Sequence, residues 1–256
     1  LFRSSYLGPV VRLRNGLLDA RVQNNLEFAI TTHWHGLLVP GEQDGGPHSA
    51  IPPAAQWQSD IEVLQDPTTA FFHTHVHGRT ASDVYAGLAG VIHLTDGRDD
   101  DRGLPATYGV DDLTLVLQDR RFDPTGGMIY NPSMMDRMHG FLGDTMLVNG
   151  QVGAVATVPK SIVRLRLVNA SNARTYSLFA DDGRPFHLIA TDGGFIPDST
   201  QIGLLRLSPG ERAEVLVDFT NGQELTLMSS GDPNDGPAGM MGRLHRLVDT
   251  FVVRTF

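Results

Sequence analysis

Cysteine is absent from the sequence of 256 residues. Without a thiol, the chain cannot form disulfides, thiolate zinc sites, iron–sulfur clusters or cysteine nucleophiles. It also cannot hold, by itself, a blue copper ion that depends on a cysteine ligand. The missing cysteine therefore excludes several classes of redox site within this chain, and it leaves the redox compartment undetermined.

The sequence also has few basic residues and no long hydrophobic run. Lysine and arginine number 20 against 29 acidic residues, a net charge of −9. This balance disfavours a nucleic-acid binder, because such proteins need a basic surface. No apolar stretch approaches the ~18 residues of a membrane span. The chain begins at Leu1 without a charged and then apolar leader, so we expect a soluble chain whose export signal has been removed or was never present.

What the sequence does contain is a repeated alternation of apolar and polar residues. Apolar side chains occupy every second position in residues 113–117, 163–167 and 213–219, with charged residues between them in the last two segments. This period of two predicts half-buried strands. Turn-forming residues recur about every 8–12 residues, which is typical of β-sandwiches or barrels. The segment 79–88 is the one place where the spacing favours a short helix.

A change of composition divides the chain. Residues 97–105 concentrate charge, glycine and proline between two strand-like stretches, which is typical of a linker. We therefore predict a first domain at 1–97, a linker at 98–105 and a second domain at 106–256. Matching Asn24 to Asn169 and Pro53 to Pro209 makes the halves faintly alike, which indicates duplication of one β-domain.

Histidine is clustered. Five of the ten histidines lie in residues 33–36 (HWHG) and 72–78 (FHTHVHG). This composition would give roughly 0.4 His-x-His pairs by chance, and three are present. Residues i and i+2 of a strand point to the same face, so both imidazoles of a pair project into one space. An ordinary hydrogen-bonded histidine pair is the alternative, but two clusters favour metal ligation.

The pattern also narrows the choice of metal. All-imidazole sites suit copper, zinc, iron or nickel, and they do not suit magnesium or calcium. A single-metal cupin would carry a glutamate three or four residues after His-x-His, and neither pair is followed by one. A lone zinc ion would typically use three histidines, so one of the two pairs would not be needed as ligands. More than one copper ion accounts for both pairs.

Several motifs resemble the bacterial multicopper oxidases, particularly copper-efflux oxidases, spore-coat laccases and bilirubin oxidases. The first cupredoxin domain of that family is matched by residues 32–37 (THWHGL), 39–47 (VPGEQDGGP), 72–78 (FHTHVHG) and 87–90 (GLAG). Its second domain is matched by residues 143–150 (GDTMLVNG), 166–174 (RLVNASNAR) and 207–214 (LSPGERAE). The resemblance implies an all-β fold of two consecutive cupredoxin-like Greek-key sandwiches, and an extracytoplasmic (periplasmic or secreted) location.

The resemblance also implies roles for individual residues. His33 matches a ligand of the type 2 copper, and His35, His73 and His75 match ligands of the type 3 pair. Asp44 matches an acid that assists proton delivery during O2 reduction, although a plain turn aspartate before two glycines is an equal alternative.

The remaining histidines and a methionine run carry weaker expectations. His77 matches a histidine beside the metals, which we expect to hydrogen-bond in the second shell rather than to ligate. The run at 134–139 (MMDRMH) could contact copper(I), and ordinary packing in a loop or core is favoured over that. In the second domain, the positions matched to the four ligands hold no histidine: Leu178, Ala180, Met228 and Ser230.

The family's blue copper and half of its trinuclear ligands come from a third domain with a His-Cys-His signature, which this sequence lacks. We therefore expect part of an oxidase that couples one-electron oxidation of phenols or metal ions to reduction of O2, completed by a third cupredoxin domain or another chain. A start at Leu1 favours a piece of a longer protein over a natural short product. A non-catalytic copper-binding or scaffold protein is the alternative. Relatives with a cell-division role have lost copper ligands that this chain keeps, which weakens the scaffold interpretation.

Overall fold

The computed structural model describes residues 6–230 and 249–256. Within these residues the chain is built almost entirely of strands, which confirms the predicted all-β class. The helix predicted at 79–88 is present in shorter form as α1 (Thr80–Tyr85). No helix in the described part is long and apolar enough to cross a membrane. His245 lies outside the described residues.

Contacts divide the chain into two compact units. The first unit comprises Leu1–Arg98 together with Asp192–Phe195, and the second comprises Asp99–Thr191 and Ile196–Phe256. The assignment of residues 98–105 as a linker stays a prediction.

The first unit has a three-stranded sheet and a separate pair of strands. The three-stranded sheet has the order β1-β5-β4, with β1 parallel and β4 antiparallel to β5, and an antiparallel pair is formed by β2 and β3. The strands are β1 (Val10–Arg14), β2 (Gly16–Gln23), β3 (Gln56–Val63), β4 (Thr68–His73) and β5 (Ala89–Thr95).

The second unit contains a five-stranded and a six-stranded sheet. Their orders are β13-β10-β15-β16-β8 and β12-β11-β14-β9-β6-β7. A short helix, α2 (Met134–His139), lies between β6 and β7. The strands are β6 (Asp112–Arg120), β7 (Thr145–Val148), β8 (Val155–Val158), β9 (Ile162–Asn169), β10 (Tyr176–Ala180), β11 (Phe186–Thr191), β12 (Gly194–Ile202), β13 (Leu205–Leu207), β14 (Arg212–Asp218), β15 (Leu225–Ser230) and β16 (Asp249–Thr255).

Two aromatic residues fix the histidine motifs to the core of the first unit. Trp34 lies between the two histidines of the first motif and is 6% exposed, and Phe72 precedes the second motif and is fully buried. Their rings pack with centroids 6.3 Å apart. Since side chains alternate along extended backbone, burying Trp34 and Phe72 in the core turns their histidine neighbours to the opposite face.

Two strands of the six-stranded sheet, β6 and β9, are buried more completely than the alternation predicts. The half-buried assignment is wrong for β6 and β9, because nearly every residue of both strands is buried. The charged side chains on their polar face neutralise one another. Arg164 Nε donates to Glu214 at 2.8 Å, and Arg166 donates to Glu214 at 3.0 Å and to Asp112 at 2.7 Å. Paired in this way, buried charges are tolerated without water.

Candidate metal centre

The two histidine motifs are held together by main-chain hydrogen bonds. The N–H of His33 donates to the carbonyl of His73 at 2.8 Å, and the N–H of His73 donates back at 3.1 Å. Two residues further along, the N–H of Phe71 donates to the carbonyl of His35 at 3.1 Å. The pairing is antiparallel, and only His73 belongs to a named strand, as the last residue of β4. The segments 33–35 and 71–75 therefore lie side by side with a fixed register, and we call this pair of segments the platform.

The platform brings all four predicted ligands together. The ring centroid of His33 lies 5.6 Å from that of His35, 5.1 Å from His73 and 5.3 Å from His75. The ring of His73 lies 5.5 Å from His35 and 5.8 Å from His75. One potential ligand atom each from His33, His35 and His73 lies within 4.8 Å of the others. The rings therefore share one space instead of pointing apart.

Hydrogen bonds to the backbone set the tautomers of two rings. Nδ1 of His33 lies 3.0 Å from the carbonyl oxygen of Asp44, and Nδ1 of His73 lies 2.8 Å from the carbonyl oxygen of Thr74. A carbonyl only accepts, so each Nδ1 carries the hydrogen and each Nε2 keeps its lone pair. Donation of the second ring N–H to a carbonyl is the usual way in which a metal-binding histidine is oriented.

The surroundings of His73 favour its neutral form. Burial, helped by the neighbouring His33 and His75, lowers the pKa of His73 to about 4 against the opposing effect of the hydrogen bond to Thr74. A group that resists protonation in this way offers its lone pair at neutral pH. The platform is therefore ready to accept a cation without first releasing a proton from His73.

Two ring nitrogens show whether a metal ion would fit among these residues. Nδ1 of His75 is buried and has no hydrogen-bond partner, which is rare for a buried ring nitrogen. Nε2 of His73 faces Nδ1 of His35 at 3.2 Å. Neutral imidazole nitrogens with a satisfied second nitrogen suit copper or zinc, and a bound ion would supply the partner that His75 lacks. The residues present fit copper.

Asp44 lies beside the platform, as the sequence resemblance implies. Its carbonyl oxygen accepts from the N–H of Trp34 at 3.1 Å and from the ring of His33. Its carboxylate Oδ1 lies 3.2 Å from His33 Nδ1 but is buried without a hydrogen bond. Burial raises the pKa of Asp44, and the neighbouring His33 opposes that effect only in part.

Gly45 makes the close approach of Asp44 possible. It has a φ of 70°, and a Cβ atom at this position would lie 1.8 Å from the carbonyl oxygen of Thr32. Only glycine fits against the platform in this conformation. The first of the two glycines after Asp44 therefore has a steric role at the platform, in addition to favouring a turn.

Sequence reasoning missed two residues that share the platform face. The ring of Phe71 stacks on His35 with centroids 4.3 Å apart and on His73 at 5.0 Å. At the other end, Oγ1 of Thr31 accepts from the N–H of His75 at 2.6 Å. Both residues precede a histidine by two positions, so the same alternation that predicted the histidine pairs could have found them.

The other histidines are not brought into the platform. His77 is exposed on the turn after His75, and the structure records no ring contact between it and the cluster. Its second-shell role stays a prediction. His48 and His139 are exposed, His93 is buried on β5, and His187 is partly buried on β11. Within residues 6–230 and 249–256, the three-histidine group on the platform is the one set of three or more candidate ligands with converging atoms.

Two family models cover nearly all of the chain. One matches residues 1–99 and the other residues 111–240, and both describe multicopper oxidases. The chain belongs to the multicopper oxidase family. The resemblance drawn from the histidine motifs is therefore confirmed, and with it the copper-binding family to which both units belong.

Curated relatives of this multicopper oxidase chain include cell division proteins. The protein FtsP of Dickeya dadantii is 41% identical over 249 residues, which is 97% of this chain and 51% of the relative. FtsP of Edwardsiella tarda is 42% identical over 246 residues, 95% of this chain and 50% of the relative. The chain thus spans about half the length of the curated relatives that it matches.

Solved structures give the same fold. A laccase-like multicopper oxidase, CueO of Ochrobactrum sp., is 43% identical with a TM-score of 0.90, covering 99% of this chain and 55% of that one. A variant of McoA from Aquifex aeolicus is 33% identical with a TM-score of 0.86, covering 96% of this chain and 55% of that one. These likenesses confirm the predicted cupredoxin-like fold.

Proposed function

We propose that this chain supplies half of the histidine ligands of a trinuclear copper centre in a multicopper oxidase. The observation that carries the proposal is the convergence of His33, His35, His73 and His75, with ring centroids 5.1–5.8 Å apart in the five pairs described above. Copper bound at such a centre supplies one-electron chemistry, which couples oxidation of phenols or metal ions to reduction of O2 to water. We place the complete protein outside the cytoplasm, in the periplasm or secreted.

Each residue of the platform has a part in this proposal. His33 serves the type 2 copper, and His35, His73 and His75 serve the type 3 pair. Asp44 holds a proton for O2 reduction on its carboxyl group, whose Oδ1 lies 3.2 Å from Nδ1 of His33. His77 hydrogen-bonds at the edge of the site. The support for Asp44 is its position beside His33 and the burial that raises the pKa of its carboxyl group.

Four imidazoles are too few for three copper ions, so the remaining ligands come from elsewhere. We propose a third cupredoxin domain or another chain as their source. The relatives that share this chain's two units are about twice as long as the part matched here. The reducing substrate and O2 are accordingly partners of the completed oxidase.

A scaffold without turnover is the second candidate, and the identity to FtsP proteins favours it. A scaffold role does not require four imidazoles gathered in one space. The reading frame beyond Phe256 separates the two candidates. The oxidase proposal expects a His-Cys-His segment there and O2 uptake with a phenol by the complete product. A continuation without this segment, or a stop codon at that point, together with no O2 uptake by the product, would leave the scaffold.

Copper binding itself is tested on this chain. We expect the purified chain, loaded with Cu(II) and desalted, to retain copper with an electron paramagnetic resonance spectrum of nitrogen ligation. A double variant, His33→Gln with His73→Gln, should lose that copper, whereas His187→Gln on β11 should keep it. Equal copper retention by the double variant and the wild type would overturn the proposal.

A further inference from the structure

Half of the chain's methionines are gathered at one exposed place. Of eight methionines, four lie between residues 128 and 138. Met128 is 42% exposed, Met134 77%, Met135 49% and Met138 64%. Methionine is normally among the most buried residue types. Packing in a core, one of the two alternatives favoured for residues 134–139 on sequence grounds, is therefore not observed for Met134, Met135 and Met138.

The helix α2 arranges its donors on a single face. At about 100° per residue, Met134, Met138, Met135 and His139 fall within an arc of about 140°. All four side chains are exposed. Asp136 lies on the opposite side and is only 12% exposed. The helix thus turns an acid inward and three thioethers and an imidazole outward.

The inward face is firmly held. Asp136 accepts two hydrogen bonds from Arg121, at 2.6 and 3.2 Å, and the Arg121 guanidinium lies 4.1 Å from the centre of the Phe141 ring. A capping box with Ser133 fixes the first turn of the helix. The exposed donors therefore stand on an anchored helix, which keeps their spacing constant.

The donor set matches one class of ion. Thioethers are soft ligands that select Cu(I), and imidazole binds it as well. Residues three and four apart on a helix have Cβ atoms about 5–6 Å apart, so flexible side chains can close on one ion. Met135 has this spacing with both Met138 and His139, and Met134 has it with Met138. If this face instead contacted a purely apolar partner surface, the imidazole at its end would not contribute to the contact.

We infer that the exposed face of α2 binds Cu(I) through Met134, Met135, Met138 and His139. This site belongs to the second unit and uses none of the four platform histidines. It therefore goes beyond the proposed function and does not rest on it. The ligand is the monovalent ion, since Zn(II) and Cu(II) prefer nitrogen and oxygen donors to a thioether cluster.

A competition titration tests the site. The whole chain is mixed under anaerobic conditions with Cu(I) bound to the coloured chelator bicinchoninate, and transfer is followed by loss of colour. The triple variant Met134→Leu, Met135→Leu, Met138→Leu removes the thioethers at exposed positions with a good helix former. The wild type should withdraw Cu(I) from the chelator. We expect the triple variant to withdraw none of it, so that this Cu(I) stays bound to the chelator. Met128→Leu, which changes an exposed methionine outside α2, should behave as the wild type.

Two further measurements make the result decisive. With methionine methyls labelled by carbon-13, Ag(I) should shift the resonances of the three α2 methionines and leave that of Met128 in place. The double variant His33→Gln with His73→Gln should keep this response, which separates the α2 site from the platform. Equal Cu(I) withdrawal by the triple variant and the wild type, or an Ag(I) titration that leaves the α2 methyls unmoved, would overturn the inference.

Discussion

His33 and His73 face each other across the platform, each donating its backbone N–H to the other's carbonyl oxygen. Their rings are consequently 5.1 Å apart in a T-shaped arrangement. Main-chain pairing leaves the two imidazoles little freedom, which lowers the cost of organising them around an ion. The following predictions concern the residues that maintain this arrangement.

Replacing Phe71 should disturb the metal site more than the fold. Phe71→Leu removes the ring that stacks on His35 and His73, and we expect copper affinity to fall about 10–100-fold, as for other residues that orient metal ligands. Competition against a chelator measures the affinity. Phe72→Leu is the control, because Phe72 faces the core against Trp34. Copper binding by Phe71→Leu equal to that of Phe72→Leu would contradict a positioning role.

Replacing Thr31 should reveal the hydrogen bond that supports His75. In Thr31→Val the N–H of His75, which is partly buried, loses its acceptor at 2.6 Å, and we expect the free energy of unfolding to fall by about 1 kcal/mol, the low end for an unsatisfied donor. Thr31→Ser keeps the hydroxyl and should recover most of this loss. Urea unfolding of the metal-free variants gives the comparison. A valine variant as stable as the serine variant would show that the hydroxyl is dispensable.

Adding a methyl group at Gly45 should move Asp44 away from His33. In Gly45→Ala the new Cβ would meet the carbonyl oxygen of Thr32, and the backbone would be strained at its φ of 70°. We expect a lower melting temperature and weaker copper retention. Gly41→Ala is the matched control, because a Cβ there meets nothing within 4 Å. The explanation fails if both alanine variants retain copper equally.

Breaking the buried charge network should cost far more than breaking a surface ion pair. Glu214→Gln removes a charge shared by Arg164 and Arg166, and loss of one partner of a buried pair costs about 3–5 kcal/mol. Glu224→Gln breaks the exposed pair with Arg254 and should cost about 0–1 kcal/mol. Chemical unfolding of both variants tests the difference. If both variants lost a similar amount of unfolding free energy, the charge network of the second unit would not be shielded from water.

The sequence alone was sufficient for the strands and for the shared direction of each histidine pair. Both follow from alternation, which is a local property of extended backbone. The same rule did not predict that Arg164 and Arg166 are buried. Their burial depends on Glu214, a residue about 50 positions away, and a pattern within one strand does not contain that information.

The assembly of the site could be predicted only in part. Pairing of His33 with His73 is a matter of register between segments forty residues apart, which no local signal determines. The position of Asp44 came from family resemblance, whereas its physical cause is the close fit of Gly45 against Thr32. Exposure of the methionines on α2 also escaped prediction, because a helix shorter than two turns gives little periodicity to interpret.

Anomalous diffraction at the copper edge from crystals of the copper-loaded chain tests the central claim most directly. We expect a peak within bonding distance of imidazole nitrogens from at least two of His33, His35, His73 and His75. Diffraction from a crystal that contains copper elsewhere but gives no peak among these four rings would contradict the account.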